Sequence, residues 1–272
     1  MKSYSPLRYP GGKGQIYNVV LDILQKNNLI GCTYIEPFAG GAGIAIRLLF
    51  EKKVKKIIIN DIDRSIYALW YSILYFTEEF IKKIENTSID MDEWRKQKNI
   101  QKNKDSASIL DLGFSTLFLN RTNRSGIIKG GVIGGKNQNG NYKMDCRFNK
   151  QKIIELIEEI ATNRKKIEIY NVDAKEFINL INRKKNKFYF IDPPYFTKGK
   201  DLYTNFFNDN DHADLANFIQ EKLSNQPILI SYDDCDEIES LYRYDRKIFL
   251  LNYSVQNKKK GKEIFFYNNI EM

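Results

Sequence analysis

Apolar and polar positions follow two rhythms along this chain. Seven short segments have strand character: Thr33–Phe38, Lys56–Asp61, Ile167–Val172, Phe188–Asp192, Pro227–Tyr232, Lys247–Tyr253 and Glu263–Asn268. The first five are apolar runs that end near Asp, Gly or Pro, the pattern of strands buried on both faces of a parallel sheet. Between several of them a 3.6-residue rhythm takes over. Gly14–Asn28 places Ile16, Val19, Val20, Ile23 and Leu24 on one face, and Ala174–Arg183 and Asp211–Leu223 are similar. This β-α succession predicts a doubly wound, mostly parallel α/β sheet. The last two segments flank the turn-prone Lys258-Lys259-Lys260-Gly261-Lys262 and predict an antiparallel hairpin at one sheet edge. From about Phe76 to Lys165 the alternation stops. Ser106–Asn120 and Lys150–Arg164 predict helices, so residues 76–165 read as an inserted, mainly helical subdomain between 1–75 and 166–272.

Composition narrows the class. The 272 residues are 42% hydrophobic and 13% aromatic, which argues for a packed core rather than disorder. Cys32, Cys146 and Cys235 lack metal-type spacing and are too few for a disulfide framework, so they read as free thiols. No run reaches the length of a membrane span and the N-terminus has no apolar signal core, which predicts a cytoplasmic protein that makes no use of a membrane.

Charge changes the picture once it is located. The formal net charge is +9, and by itself this suggests a polyanionic partner only weakly. Between Asn120 and Lys150 stand seven basic residues, Arg121, Arg124, Lys129, Lys136, Lys143, Arg147 and Lys150, against the single acid Asp145. Six of the sixteen glycines share that stretch, which therefore carries six of the nine net charges on a loop-forming backbone. It is either a solvated insertion or a nucleic-acid-facing arm, and the motifs elsewhere favour the arm.

Three motifs carry chemistry. The first strand runs into Glu36-Pro37-Phe38-Ala39-Gly40-Gly41-Ala42-Gly43, a glycine-rich turn that lets a nucleotide-like ligand lie against the backbone. Alone it is a common feature of α/β proteins. The second strand ends in Asn60-Asp61-Ile62-Asp63, where an acid some twenty positions after the turn can accept ribose hydroxyl hydrogen bonds. Asp61 is the candidate ligand and Asp63 the candidate helix cap. The fourth strand ends in Asp192-Pro193-Pro194-Tyr195-Phe196. Two prolines cannot continue a central strand, so they fix a rigid turn at the edge where open α/β sheets bind ligands. That turn presents a carboxylate, a carbonyl and an aromatic ring together, which suits a flat ring bearing an exocyclic amine. Upstream, Arg8-Tyr9-Pro10-Gly11-Gly12-Lys13 precedes a helix. It lacks the spacer and the Ser/Thr of a phosphate loop, which argues against a Walker-type NTPase.

In this order, the motifs resemble the Dam-like D12 class, or α group, of DNA adenine-N6 methyltransferases. The likeness covers most of the chain. Arg8 to Lys13 is similar to the family's N-terminal motif, and Glu36 to Gly43 to its cofactor loop, with Ala42 where Gly is frequent. Asp192-Pro193-Pro194-Tyr195 is similar to the family signature, Leu119-Asn120-Arg121 to the start of its target-recognition region, and Leu229-Ile230-Ser231-Tyr232-Asp233 to a late strand. The resemblance implies a seven-stranded Rossmann-like methyltransferase sheet in 1–75 and 166–272, with a target-recognition insert in 76–165. It implies S-adenosylmethionine as cofactor, held by Tyr9, Lys13, Glu36, Phe38, Gly40, Asp61 and Asp192. Asp173 is either an acceptor for the cofactor's adenine amine or the N-cap of the helix that follows it. Asp192, Pro193, Pro194 and Tyr195 would be the catalytic set, and Arg8, Arg121, Arg124 and Lys129 the contacts to double-stranded DNA. A monomer, and functional pairing with a restriction endonuclease, are further expectations of the likeness. No metal is expected. Two other classes compete: a methyltransferase acting on cytosine N4 or an RNA base, against which Asp before Pro-Pro-Tyr argues, and a catalytically silent DNA-binding module, against which Asp61 and Asp192 argue.

Overall fold

The structure, a computed structural model, describes residues 4–8, 13–181, 185–196, 207–253 and 259–272, with side chains left out at 13–15, 251–253 and 259–261. It divides into two compact units, one of Met1–Pro10 and Ile62–Asn171, the other of Gly11–Asp61 and Val172–Met272. The break therefore falls at Ile62, ahead of the insert boundary at residue 76 that the periodicity suggests. The reason is the helix Arg64–Tyr75, which packs into the helical unit.

The seven strands are β1 (Thr33–Glu36), β2 (Lys56–Asn60), β3 (Ile167–Tyr170), β4 (Lys187–Ile191), β5 (Ile228–Asp233), β6 (Asp245–Tyr253) and β7 (Lys259–Asn268), in sheet order β3-β2-β1-β4-β5-β7-β6. Each anticipated strand is present. β1 pairs in parallel with β2 and β4, and β4 with β5, while β7 lies antiparallel between β5 and β6. The apolar runs are long enough for strands only, and both faces are covered: Ile35, Ile58, Phe190, Leu229 and Ile230 have no exposed surface. The order of strand addition reverses between the parallel neighbours β1 and β4, so the turns following these two strands flank a topological switch point, where such sheets bind ligands.

In the unit of Gly11–Asp61 and Val172–Met272, α1 (Lys13–Lys26) and α2 (Gly43–Phe50) are joined by the Tyr17 hydroxyl, which donates to Glu51, and by Arg47, whose guanidinium lies 3.6 Å from the centre of the Tyr17 ring. Beyond β3 come α8 (Ala174–Ile181), α9 (Asp209–Lys222) and α10 (Asp236–Leu241). α9 begins two residues before the Asp211 start that periodicity gives. Asn208 and Asp211 form a reciprocal capping box, with Asp211 N–H to Asn208 Oδ1 at 3.0 Å and Asn208 N–H to Asp211 Oδ2 at 2.9 Å.

The other unit contains α3 (Arg64–Tyr75), α4 (Thr77–Asn86), α5 (Met91–Lys102), α6 (Ile109–Thr122) and α7 (Lys150–Thr162). α6 is its axis, with Leu112 to Asn120 buried in succession. Ser108 caps it by accepting from Asp111 N–H at 3.1 Å. α6 meets α3 so closely that a Cβ on Gly113 would stand 2.5 Å from the Ala68 carbonyl oxygen and 2.6 Å from Ser72 Oγ. Gly113→Ala would gain up to about 1 kcal/mol of helix propensity. The clash is with backbone and costs about 1–3 kcal/mol, so the variant is expected to melt several degrees lower, readable by circular dichroism.

Among the described residues no helix is long and apolar enough to cross a membrane, and no cluster of His, Cys, Asp or Glu could hold a metal.

Candidate active site

The turn after β1 is held from below by Asn60, the last residue of β2. Its Nδ2 donates to the carbonyls of Pro37 and Val172, each at 3.0 Å. Its Oδ1 accepts from Val172 N–H at 3.1 Å, and its main-chain carbonyl accepts from Ala39 N–H at 2.9 Å. One buried amide thus ties the glycine-rich turn to Val172, two residues past the end of β3. Locally, an Asn before Asp looks like ordinary turn chemistry. Its apolar surroundings were the available signal, since a polar side chain at the end of an Ile-Ile-Ile run must be satisfied internally.

Above that clamp, Gly40 takes a left-handed conformation, φ +47°, and its N–H donates to Asp61 Oδ2 at 2.9 Å. The two halves of the candidate cofactor motif, glycine turn and acid, therefore meet directly. Glu36 is buried at the end of β1, and Phe38 is half-buried with its ring edge-on to Phe207 at 6.0 Å. Asp63 caps α3 by accepting from Ser65 N–H at 3.0 Å, the role anticipated for it, and Lys104 reaches it at 3.3 Å. Asp173 is exposed and accepts from Lys175 N–H at 2.8 Å, the N-cap geometry of α8. Tyr9 lies outside the described residues. Lys13 opens α1, and its side chain is outside them.

The turn after β4 is braced by β5 and β7. Asp192 is 5% exposed and accepts from Ser231 Oγ at 3.2 Å. Pro193 and Pro194 are buried. The Tyr195 hydroxyl donates to Glu263 Oε1 at 2.8 Å, and Phe196 N–H donates to Asp233 Oδ1 at 2.9 Å. Phe196, at the end of the turn, and Phe207 pack on His212, the chain's single histidine, which is 1% exposed. Its ring lies 5.2 Å from Phe196 and 5.3 Å from Phe207, and its Nδ1 is 3.1 Å from the Tyr232 hydroxyl. Burial pushes the imidazole below its ordinary value of 6.5, against the pull of Asp233, Asp211 and Asp209. Folding thus favours the neutral ring, and its contribution to stability is fully present above about pH 6.5 and is lost as pH falls below that value. His212→Gln should lower the melting temperature at pH 7.5 and flatten its decline between pH 7 and pH 5 relative to wild type.

The basic residues divide in two. Arg121 is half-buried, its Nε 2.7 Å from the Pro6 carbonyl and its Nη2 3.4 Å from that of Ser5. Burial, with Arg8 adding to it, pushes its guanidinium down to about 10. Arg8 is fixed through its main chain: its N–H donates to Asn120 Oδ1 at 2.6 Å and its carbonyl accepts from Asn120 Nδ2 at 2.9 Å. Its own guanidinium reaches the Asn123 carbonyl at 3.3 Å. These two arginines tie the N-terminal segment to α6. Arg124, Lys129, Lys136, Lys143 and Arg147 are instead exposed. The glycine-rich stretch that bears them is a folded loop, anchored by buried Val132, Met144 and Phe148. Gln138 Nε2 bonds the Ile133 and Gly135 carbonyls at 2.7 Å each, and Lys98 Nζ meets those of Ile128, Lys129 and Gly130 at 3.0–3.3 Å.

Residues 9–259 match the sequence profile of the D12 class N6 adenine-specific DNA methyltransferases. The chain belongs to this family. It is an adenine-specific DNA methyltransferase, as the order of its motifs implied. Among curated relatives, the type II methyltransferase M.MjaIII of Methanocaldococcus jannaschii is 26% identical over 239 residues, 79% of this chain and 78% of that protein. The modification methylase StsI of Streptococcus sanguinis is 27% identical over 237 residues, 81% of this chain but only 32% of that protein. A solved rRNA methyltransferase, AviRa of Streptomyces viridochromogenes, superposes with a TM-score of 0.42 at 10% identity, covering 95% of this chain and 86% of that one.

Proposed function

We propose that this methyltransferase takes its methyl group from S-adenosylmethionine and acts on an adenine swung out of double-stranded DNA. The observation that carries the reading is the direct bond between Gly40 N–H and Asp61, at the sheet edge that also bears Asp192. The chemistry of that edge fits the cofactor. Its side chains are acceptors, Glu36, Asp61 and Asp192, which suit an ammonium group and ribose hydroxyls and disfavour a polyphosphate. Asp61 would hold the ribose, Glu36 the ammonium side, and Gly40 would let the methionine end approach the backbone, with Phe38 and, from the N-terminal motif, Tyr9 and Lys13 completing the set. When bound, S-adenosylmethionine supplies a methyl group carried on a positive sulfur.

The chain's own residues do the rest. Asp192 and the Pro193 carbonyl accept hydrogen bonds from the two N6–H groups of adenine, which draws the nitrogen lone pair out of the ring and makes it nucleophilic. The buried Pro193-Pro194 pair keeps those acceptors in place without reorganisation. Tyr195 stacks on the extruded base, since the amine is out of reach within the duplex. Exposed Arg124 and Lys129 contact phosphates or base edges, and Arg8 and Arg121 fix the segment behind them. Asp173, already capping α8, keeps a secondary role toward the cofactor's adenine at most. Pairing with a restriction endonuclease is part of this reading, supported by the type II relative.

Isothermal calorimetry with S-adenosylmethionine, and mass spectrometry of nucleosides from treated DNA, test the reading together. Binding and N6-methyladenine are expected; binding with N4-methylcytosine as product would replace the target, and no binding would sink the cofactor assignment. Asp61→Ala should weaken cofactor binding about tenfold or more, because it removes charged acceptors and frees the Gly40 N–H.

A further inference from the structure

Tyr195 owes its position to a residue far away in sequence. Its hydroxyl donates to Glu263 Oε1 at 2.8 Å, and Glu263 is 1% exposed on β7, a strand hydrogen-bonded on both sides. An acid at that point is unusual for its surroundings. The next three residues, Ile264, Phe265 and Phe266, are fully buried, and a buried carboxylate is costly unless its hydrogen bonds are well used.

We propose that Glu263 is a positioning residue for methyl transfer, holding the Tyr195 ring in the orientation that receives the extruded adenine. The inference rests on the reading of the Asp192–Tyr195 turn given above. Glu263 acts through the phenol and never meets the substrate. A second bond from the same rung of the sheet supports it. Glu263 is the register partner of Asp233, and Asp233 accepts from Phe196 N–H at 2.9 Å. One rung of the β5–β7 ladder therefore supplies two carboxylates to consecutive residues of the turn, while Ser231, also on β5, bonds Asp192. Both ends of the turn take their positions from one rigid pair of strands. A ring ordered before the base arrives spares the ordering cost at the moment of binding, so the effect belongs in DNA binding and the methyl-transfer step and not in cofactor affinity.

The test is steady-state kinetics of the full chain with tritiated S-adenosylmethionine on DNA from a host that lacks adenine methylation. Cofactor affinity by calorimetry and melting temperature accompany it. Glu263→Gln keeps an acceptor oxygen and is expected within about threefold of wild type. Glu263→Ala and Tyr195→Phe should each lower kcat/KM for DNA about tenfold, with cofactor Kd unchanged. In the Tyr195→Phe background Glu263→Ala should cost nothing further, since the phenol is its route. An equal loss in both backgrounds would overturn the proposal, as would a loss confined to melting temperature and cofactor Kd. Should Glu263→Ala fold poorly, Tyr195→Phe decides alone, and wild-type kcat/KM for DNA in that variant overturns it. Failure of the underlying reading looks different: Tyr195→Ala would then methylate DNA at the wild-type rate.

Discussion

Asp192→Ala is expected to lower the rate of adenine methylation by at least about 10²–10³-fold, the loss typical when one preorganised polar group is removed from a reacting centre. The argument begins with the substrate. The N6 lone pair of adenine is spread into the ring, so the free amine is a poor nucleophile. An acceptor for each N–H proton favours a pyramidal nitrogen, and that stabilisation grows as positive charge develops on it during transfer. A carboxylate does this better than a neutral oxygen because the bond is charge-assisted. Asp192 is 5% exposed, so water is poorly placed to replace it. The fold should survive the change. Asp192 follows the last residue of β4 and adds nothing to the ladder, and its side-chain loss leaves the buried Ser231 hydroxyl seeking a partner at about 1 kcal/mol. Single-turnover assays with saturating cofactor, read as N6-methyladenine by mass spectrometry, isolate the chemical step. Methylation near the wild-type rate would remove Asp192 from the reaction. Asp192→Asn should retain more activity than Asp192→Ala, because it keeps one acceptor oxygen.

The parts of this site that could be read from the sequence are those where the chain must stop being regular. Asp192-Pro193-Pro194-Tyr195 and the glycine turn after β1 announce themselves because proline and glycine at a strand end permit few conformations. The supports stayed hidden. Glu263 follows a Lys-rich run and looks like a turn flank. Only the antiparallel pairing of β7 with both β5 and β6 makes it interior. Asn60 spends its side chain on partners some twenty and over a hundred residues away, Pro37 and Val172, which no local pattern contains. α5 is illegible from the sequence for a similar reason. α5 has a single buried residue, Gln97, and depends on its Asp90 cap, which accepts from Asp92 and Glu93 N–H at 3.1 and 2.8 Å. Without an apolar face the 3.6 rhythm has nothing to act on.

The same distinction between a residue that acts and one that supports governs the basic loop. Removing Arg124 and Lys129 together should weaken DNA binding about 10–100-fold near 0.15 M salt, and lower the slope of log affinity against log salt by about 2 if each neutralises one phosphate. Both side chains are exposed on a loop whose backbone is held by Gln138, Lys98 and the Asn123 amide, so they reach outward from a fixed base without a large ordering cost. Arg8→Ala and Arg121→Ala have a different signature. Arg121 spends its donors on the Pro6 and Ser5 carbonyls and Arg8 a guanidinium nitrogen on the Asn123 carbonyl, so their loss should appear first as a lower melting temperature. Fluorescence anisotropy of a labelled duplex across 50–300 mM salt separates the two. A slope unchanged in the Arg124/Lys129 double variant would mean that neither side chain neutralises phosphate. Unchanged slope with lost discrimination between DNA sequences would assign them to base edges, where a bidentate contact contributes about 1–3 kcal/mol against the wrong base.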